Sequence, residues 1–554
     1  MRLMGSRKRF PISMQSLLVL IGILTGIGFT LLTLKLVDPS TTEGVFSLKS
    51  QEFSDSHFIS ISVNEPGFNS NSSYFGRRNG FGKSASCATV EEMGEDFRGN
   101  SDSSRKESLR IRTLIRHHFD RNGPTRVRRL LPDQFCRHGF VIAKASEAGF
   151  GNEMYKILNA AALSIMLNRS LIIGQTRGKY PFGDYVTYTN VSFTLKEVKH
   201  LWRHNGCMSK YGRELVVRAD DFLKPAHTNI LCSNWRAWEQ PIIWIQNMTD
   251  AMAAQFFLKN VHPDMRSAAI ELFGKPELHS RPNVFGELMR VLILPSARIE
   301  AAVQSVLANT EDPDIALHMR MLMNRSVRAL QAALNCIKKS MQDLQVARPK
   351  VVVISDTPSF RSTIRPVIEE FAEVLQFDYE LFRGNLSLEN SQTHILDFRI
   401  KDWGPAPRWV AFVDFFLASR AKHAVISGAH RRVGTTYVQL IAALAAAHNL
   451  DENSSTGPNF SFLSSFQSNL LISGLSNQIG WGHAWNRFAG PLSCRGQANQ
   501  CAHTPLLPPA WWDGIWQSPI PRDIRRLEAY GVRLSSLGTI DKEYLQSFCR
   551  SRKT

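Results

Sequence analysis

From Ile315 to Ala447 the chain alternates short apolar runs with longer stretches of helical period, and that alternation leaves few folds open. Strands are expected at Ile315 to Met319, Val351 to Ser355, Tyr379 to Phe382 and His423 to Ser427. Helices are expected at Ser326 to Leu344, Thr363 to Leu375, Trp409 to Ala421 and Val433 to Ala447. Strands buried on both faces read as unbroken apolar runs, and strands joined through helices are parallel with right-handed crossovers. The pattern predicts a parallel α/β sheet covered on both sides, with ligands at the carboxyl ends of its strands.

A second layer of the same kind starts near Cys136. Phe140 to Ala143 reads as a strand, Glu147-Ala-Gly-Phe-Gly-Asn152 as a glycine loop, Met154 to Leu167 as a helix and Ser170 to Ile173 as the next strand. As a dinucleotide fingerprint the lone Gly-Phe-Gly lacks a third glycine and an acidic partner about 20 residues on. The fold expected is α/β, with two Rossmann-like domains at 136–300 and 301–450. A Trp- and Pro-rich segment at 451–554 follows and is expected to pack back on the head.

Ahead of the head, Arg2, Arg7, Lys8 and Arg9 precede a run without charge from Phe10 to Leu34. Such a run can cross a bilayer core of about 30 Å at about 1.5 Å per residue, and it is longer than a signal-peptide core. Residues 1–9 are therefore read as a cytosolic tail, 10–36 as a transmembrane signal-anchor and 37–135 as a lumenal, largely disordered stem. Gly22 and Gly26 form a small-xxx-small pair through which two such helices could pack, so a homodimer is among the expected states.

The eight cysteines show no CxxC spacing, so a zinc site is not expected. In a lumenal chain an even count points to disulfides. Cys494 and Cys501 are the one pair close enough in sequence to propose, and Cys207, Cys232 and Cys336 read equally well as buried thiols. Sequons begin at Asn71, Asn168, Asn190, Asn247, Asn324, Asn385, Asn453 and Asn459. The net charge of +18 would raise nucleic acid as a partner. The basic residues are scattered, however, and their one cluster, Arg110 to Arg129, has no aromatic interleaving, so it reads as a solvated stem and nucleic acid is not expected.

Several segments resemble the GDP-fucose-dependent fucosyltransferase superfamily, over about residues 140 to 445. Glu147-Ala-Gly-Phe-Gly-Asn-Glu153 with Leu167-Asn-Arg-Ser-Leu171 is similar to the start of protein O-fucosyltransferases. His318-Met-Arg320 resembles the His-x-Arg signature, Asp356-Thr-Pro-Ser359 the Asp-Asp-Pro-Ser turn, and the segment from Asp414 to Ser427 the third motif. Met321 stands where most α1,6 and plant members have a second arginine, Thr357 replaces an acid, and His430 stands where related enzymes often have a serine.

Together with the N-terminal apolar run, the resemblance implies a type II membrane protein of the Golgi or ER whose lumenal head is GT-B-like and transfers fucose from GDP-fucose to a glycan or protein hydroxyl with inversion. In that reading Arg320 supports the departing diphosphate, since a guanidinium offers two parallel hydrogen bonds to an oxyanion; otherwise it ends a strand at the surface. Glu147 is the base candidate, with Glu153 behind it. His318 orients the loop or binds the donor. Asp356 accepts hydrogen bonds from the nucleotide or caps the Pro358 turn. Ser359, His430 and Arg431 face the phosphates, with Ser427, Arg432, Thr435 and Thr436 nearby. Asp414 meets the nucleotide or forms a salt bridge, while Gly149, Gly151 and Asn152 shape the acceptor side. No metal is expected, because Asp312-Pro-Asp314 enters its strand at the amino end. Two rivals stand beside this reading: a fucosyltransferase-like binding or scaffold protein without catalysis, and a transferase of another nucleotide sugar.

Overall fold

The computed structural model describes residues 89–95, 101–144, 149–174, 182–222, 229–246, 253–275, 281–308, 310–321, 327–344, 347–379, 381–382, 409–429, 436–450, 460–468, 494, 496–506, 525, 527–533 and 540–552. The expected anchor at 10–36 lies outside these, as do Trp481, Trp485, Trp511, Trp512 and Trp516. Among the described residues no helix is long and apolar enough to cross a membrane.

The N-terminal part runs α1 (Val90–Glu95), α2 (Ser101–Asn122), α3 (Pro124–Val127), α4 (Pro132–Arg137), β1 (Phe140–Lys144), α5 (Phe150–Leu167), β2 (Ser170–Gly174), β3 (Val186–Tyr188), α6 (Leu195–His204), β4 (Val217–Asp221), β5 (Ile242–Gln246), α7 (Pro263–Phe273), α8 (Val284–Leu292), β6 (Ile293–Pro295) and α9 (Ala297–Leu307). The C-terminal part continues with β7 (Ile315–Arg320), α10 (Val327–Leu344), β8 (Lys350–Ser355), α11 (Pro358–Glu369), β9 (Glu373–Leu375), α12 (Val410–Ala418), β10 (Ala424–Ala429), α13 (Thr436–His448), β11 (Ser461–Phe466), β12 (Gln500–His503) and α14 (Lys542–Ser551).

Two sheets result. The first has the order β2-β1-β5-β4 and is parallel throughout. The second has the order β12-β11-β10-β7-β8-β9 and is parallel except for the β11–β12 pair. Side chains alternate along β7 as a strand requires. Ile315, Leu317 and Met319 enter one apolar core with Ala333 and Ile337 of α10 and Ile364 and Ile368 of α11. Ala316 enters a second core on the opposite face with Val413 of α12 and Leu440 of α13. This is the doubly covered sheet expected from the apolar runs. One end differs: the strand expected at 379–382 lies earlier, at β9, and Tyr379, Leu381 and Phe382 are helical. Tyr379 and Phe382 both pack on the Trp409 ring, at 5.6 and 5.9 Å, and a spacing of three brings two side chains to one side of a helical turn but to opposite faces of a strand.

The expected stem boundary at 135 is also corrected. Ile111, Ile115 and Phe119 of α2, spaced by four, are buried in the same core as Leu288 of α8 and Leu440 of α13. Between them Arg112 is buried and grips Glu287 of α8 with two hydrogen bonds of 2.8 and 2.9 Å, and it donates to the Ala447 and Leu450 carbonyls at 2.7 Å each. It thus ties both lobes at the carbonyl end of α13, where a cation is favoured. A continuous apolar run of side chains from residues 90 to 549 spans the two lobes, so the expected division at 300 is not a gap between separate cores. Where α8 meets α13 the helices approach so closely that a Cβ on Gly286 would strike the Ala443 carbonyl.

The cysteine expectations change too. Cys336 pairs with Cys501, not Cys494 with Cys501, because β12 is an edge strand of the sheet over which α10 lies; Cys136 pairs with Cys207 and Cys232 with Cys549. Cys494 is also disulfide-bonded. The Cys232–Cys549 bond, with the buried Leu527, Tyr530 and Val532, brings the C-terminal segment back onto the N-terminal lobe.

Candidate functional site

The second sheet turns its carboxyl end toward the start of α5, and the candidate residues gather there. Arg320 ends β7, beside Ala429 of β10. Its side chain keeps 33% of its surface exposed, while Nε lies 3.2 Å from Oδ2 of Asp356, which is only 5% exposed. The other carboxylate oxygen, Oδ1, accepts the Met321 N–H at 2.7 Å. Asp356 therefore links the ends of two adjacent strands, and Thr357 takes the cap position of α11 without a side-chain bond. Ser355 Oγ adds a second link, donating to the Met319 carbonyl at 2.9 Å. The contact of Arg320 with Asp356 is an ion pair, and it leaves part of the arginine side chain open to solvent.

His318 lies one pleat inward on the same face and is buried, its ring 5.4 Å from Tyr437 of α13. Burial first, and then the Arg320 charge, push its pKa down to about 3. It is a neutral imidazole that packs behind the arginine. Ser427, opposite it on β10, is also buried, and among the described residues neither Ser427 Oγ nor His318 Nδ1 has a hydrogen-bond partner.

Asp414 of α12 is buried, with Oδ2 3.9 Å from Arg361 Nη1 of α11. Burial raises its pKa to about 6 against the opposing pull of Arg361. Of the two roles expected for Asp414, this structure shows the ion pair. Arg361 did not figure among the expected site residues. Its signal was an arginine between Phe360 and Ile364 on the apolar side of an amphipathic helix, a position that needs a buried acid to accept it.

On the opposing lobe Gly149 caps the start of α5 and is exposed. Gly151 is pressed against α13: a Cβ there would lie 2.7 Å from Thr436 Oγ1 and 2.8 Å from the Tyr437 nitrogen. Only glycine permits that approach. Thr436 Oγ1 donates to Asn152 Oδ1 at 2.9 Å, and Phe150 packs edge-on against Phe412 and Phe415, at 4.9 and 4.7 Å. Glu153, the second base candidate, is fully buried with Oε1 2.8 Å from Lys156 Nζ, so it is a structural acid and not a solvent-facing base. Glu147, His430, Arg431, Arg432 and Thr435 lie outside the described residues, as does the side chain of Ser359 in the first turn of α11.

Asp312 and Asp314 are at the amino end of β7, as their position in the sequence implied. Asp312 faces Arg420 at 3.6 Å, and Asp314 accepts the Lys350 N–H at 2.8 Å. Among the described residues no group of three or more His, Cys, Asp or Glu side chains is placed to hold a metal.

A model of a family described as being of unknown function, DUF7810, matches residues 82–554. No curated protein matches the sequence. Among solved structures, a mutant of Arabidopsis thaliana FUT1 in complex with GDP is similar at 12% identity, over 64% of this chain and 78% of that one, with a TM-score of 0.38. The fucosyltransferase NodZ from Bradyrhizobium is similar at 13%, over 55% and 92%, with a TM-score of 0.32. POFUT1 in complex with GDP-fucose is similar at 14%, over 59% and 98%, with a TM-score of 0.30. All three are loose likenesses.

Proposed function

We propose that this chain, which belongs to the family of unknown function DUF7810, is a glycosyltransferase that moves fucose from GDP-fucose to a hydroxyl of a glycan or protein. The observation that carries the reading is Arg320, half-open at the carboxyl end of the central strand and held from behind by the buried Asp356. Breaking a sugar–phosphate bond builds negative charge on the β-phosphate, and a guanidinium already fixed in place stabilises it without reorganising as the charge develops. Transfer with inversion then needs one further group. The acceptor oxygen attacks the anomeric carbon, the bond to phosphate breaks, GDP departs toward Arg320, and the hydroxyl proton passes to a base, for which Glu147 is our candidate. His430, Arg431 and Ser359 are proposed to complete the phosphate contacts. His318, neutral and buried, positions the floor and does not itself neutralise the diphosphate.

Three described disulfides suit an oxidising compartment. With the apolar run at 10–36 they support a type II protein of the Golgi or ER, its head in the lumen. A second reading, a binding protein of this fold without catalysis, draws on Met321, which is buried in the core where most α1,6 and plant fucosyltransferases have a second arginine.

The test is thermal melting of the detergent-purified full chain with GDP, GDP-fucose, GDP-mannose and UDP, beside Arg320→Ala. A ligand at 100 times its Kd adds about 2.7 kcal/mol. A rise with GDP and GDP-fucose alone, lost in the variant, is the expected result; no shift with any nucleotide sinks the donor site. Stabilisation by GDP-fucose without release of GDP in the presence of cell-derived glycan and protein acceptors would favour the binding protein.

A further inference from the structure

A cleft of about 890 Å³ opens on the N-terminal lobe, walled by α2, the end of α5 and α7. It is separate from the donor site: Leu167 and Asn168, in its wall, precede the amino end of β2, whereas sheets of this kind bind ligands at the carboxyl end. Its lining includes α2 side chains from Arg110 to Asn122. Arg110 and Arg121, both lining residues, are eleven positions apart on that helix, about 16 Å at 1.5 Å per residue. A third arginine, Arg236, faces them from the other wall, anchored by Nε to the Met166 carbonyl at 2.8 Å.

The charge in the cleft is one-sided. Among lining residues Glu271 is the lone acid, and Arg110 spends part of its charge on Glu107 at 3.0 Å, but Arg121 has no carboxylate partner among the described residues. Between the arginines stand Thr113, His117 and Asn168, the last fixed by a 2.9 Å hydrogen bond from Asn122 Nδ2. Leu114, Ile165, Ala268 and Leu272 supply apolar lining. His118 also lines the cleft, but burial pushes its pKa down to about 4, so this ring adds no charge.

We propose that this cleft binds an extended acidic oligosaccharide, with carboxylate or sulfate groups at the arginines and ring hydroxyls on the polar side chains between them. Arginine pairs with such groups through two parallel hydrogen bonds. A peptide fits less well, because the walls are helices and offer no strand edge on which an extended backbone could pair. The preference for a saccharide also rests on the transferase reading above, in which the cleft would hold part of a glycan away from the reacting hydroxyl.

The experiment measures binding of fluorescently labelled tetramers to the full chain: a uronate, a sulfated saccharide, an uncharged glucose tetramer, and tetraglutamate. Because the whole protein is basic, Arg121→Glu/Arg236→Glu is compared with Arg203→Glu/Lys210→Glu, an equal charge change on exposed residues outside the cleft. Saturable binding of the uronate, the sulfated tetramer or both is expected, weakened about tenfold, or 1.4 kcal/mol, by the first pair of substitutions alone. Which of the two binds identifies the acid. Equal loss from both pairs, no saturable binding of either acidic saccharide, or tighter binding of tetraglutamate overturns the proposal. GDP-induced stabilisation in the cleft variant is the separate readout: if it persists while saccharide binding is lost, the cleft and the donor site act independently, and if the wild-type chain binds the saccharide but no nucleotide, the donor reading fails while the cleft stands.

Discussion

Asp356 joins two functions in one carboxylate: one oxygen fixes the backbone where β7 ends and the other faces Arg320. Asparagine can keep the first and not the charge of the second. Asp356→Asn is therefore expected to weaken GDP binding by about tenfold, or about 1.4 kcal/mol, while shifting the ligand-free melting point little, as titration calorimetry beside thermal melting would show. Gly151→Ala should do the reverse. Its methyl group meets Thr436 and the backbone of Tyr437, so a cost of about 1–3 kcal/mol in urea unfolding is expected. These positions show how far the site could be read from residues alone. Arg320, His318 and Asp356 stand at the ends of apolar runs that had to be strands, so their gathering at one edge followed from the pattern. The use of Asp414 by Arg361 did not, because ion-pair partners 53 positions apart carry no shared local signal.

At the scale of elements, α2 shows how a helix can be overlooked. Its polar and basic residues hide a four-residue apolar spacing at Ile111, Ile115 and Phe119, and reading the segment as stem gave weight to composition over period. The buried pair it brings, Arg112 with Glu287, gives a sharp prediction. Arg112→Met leaves a carboxylate buried without its main partner and should cost about 3–5 kcal/mol in urea unfolding. The double variant Arg112→Met/Glu287→Leu should recover most of that loss; if it is as unstable as the single variant, the pair is not what holds α2. The error at 379–382 has a similar cause: aromatic and aliphatic residues suit a strand, and only the partner ring of Trp409 decided the local turn.

For the whole molecule, buried ionisable groups set the response to acid. His118, His138 and His318, with folded pKa values of about 4, about 4 and about 3 against 6.5 unfolded, contribute stability that is complete above pH 6.5 and is lost as pH falls toward those values. Asp414 acts in the opposite sense: its pKa of about 6, raised from 3.8, costs stability above pH 6, and this cost is relieved on the way down. Three histidines outweigh one carboxyl, so stability should fall on the order of 2 kcal/mol per pH unit near pH 5. Urea midpoints measured from pH 7 to 4 check this; a midpoint that stays level or rises would contradict it. Reduction acts on the same scale. The Cys232–Cys549 bond closes a sequence separation of 317 residues, and breaking it with the other disulfides should lower the melting point measured with and without dithiothreitol.

By itself the sequence determined the kind of fold, since apolar runs too short for buried helices, separated by helical periods, can bury their surface only as parallel strands between helices. It also determined which edge of the sheet holds the polar residues. Tertiary structure alone decided that β11 and β12 complete the second sheet, that Cys501 pairs with Cys336, that α2 belongs to the core and that the two lobes share one interior. Those outcomes depend on contacts between distant positions, where the free energy comes from apolar area and hydrogen bonds formed only after folding. No local period or spacing records them.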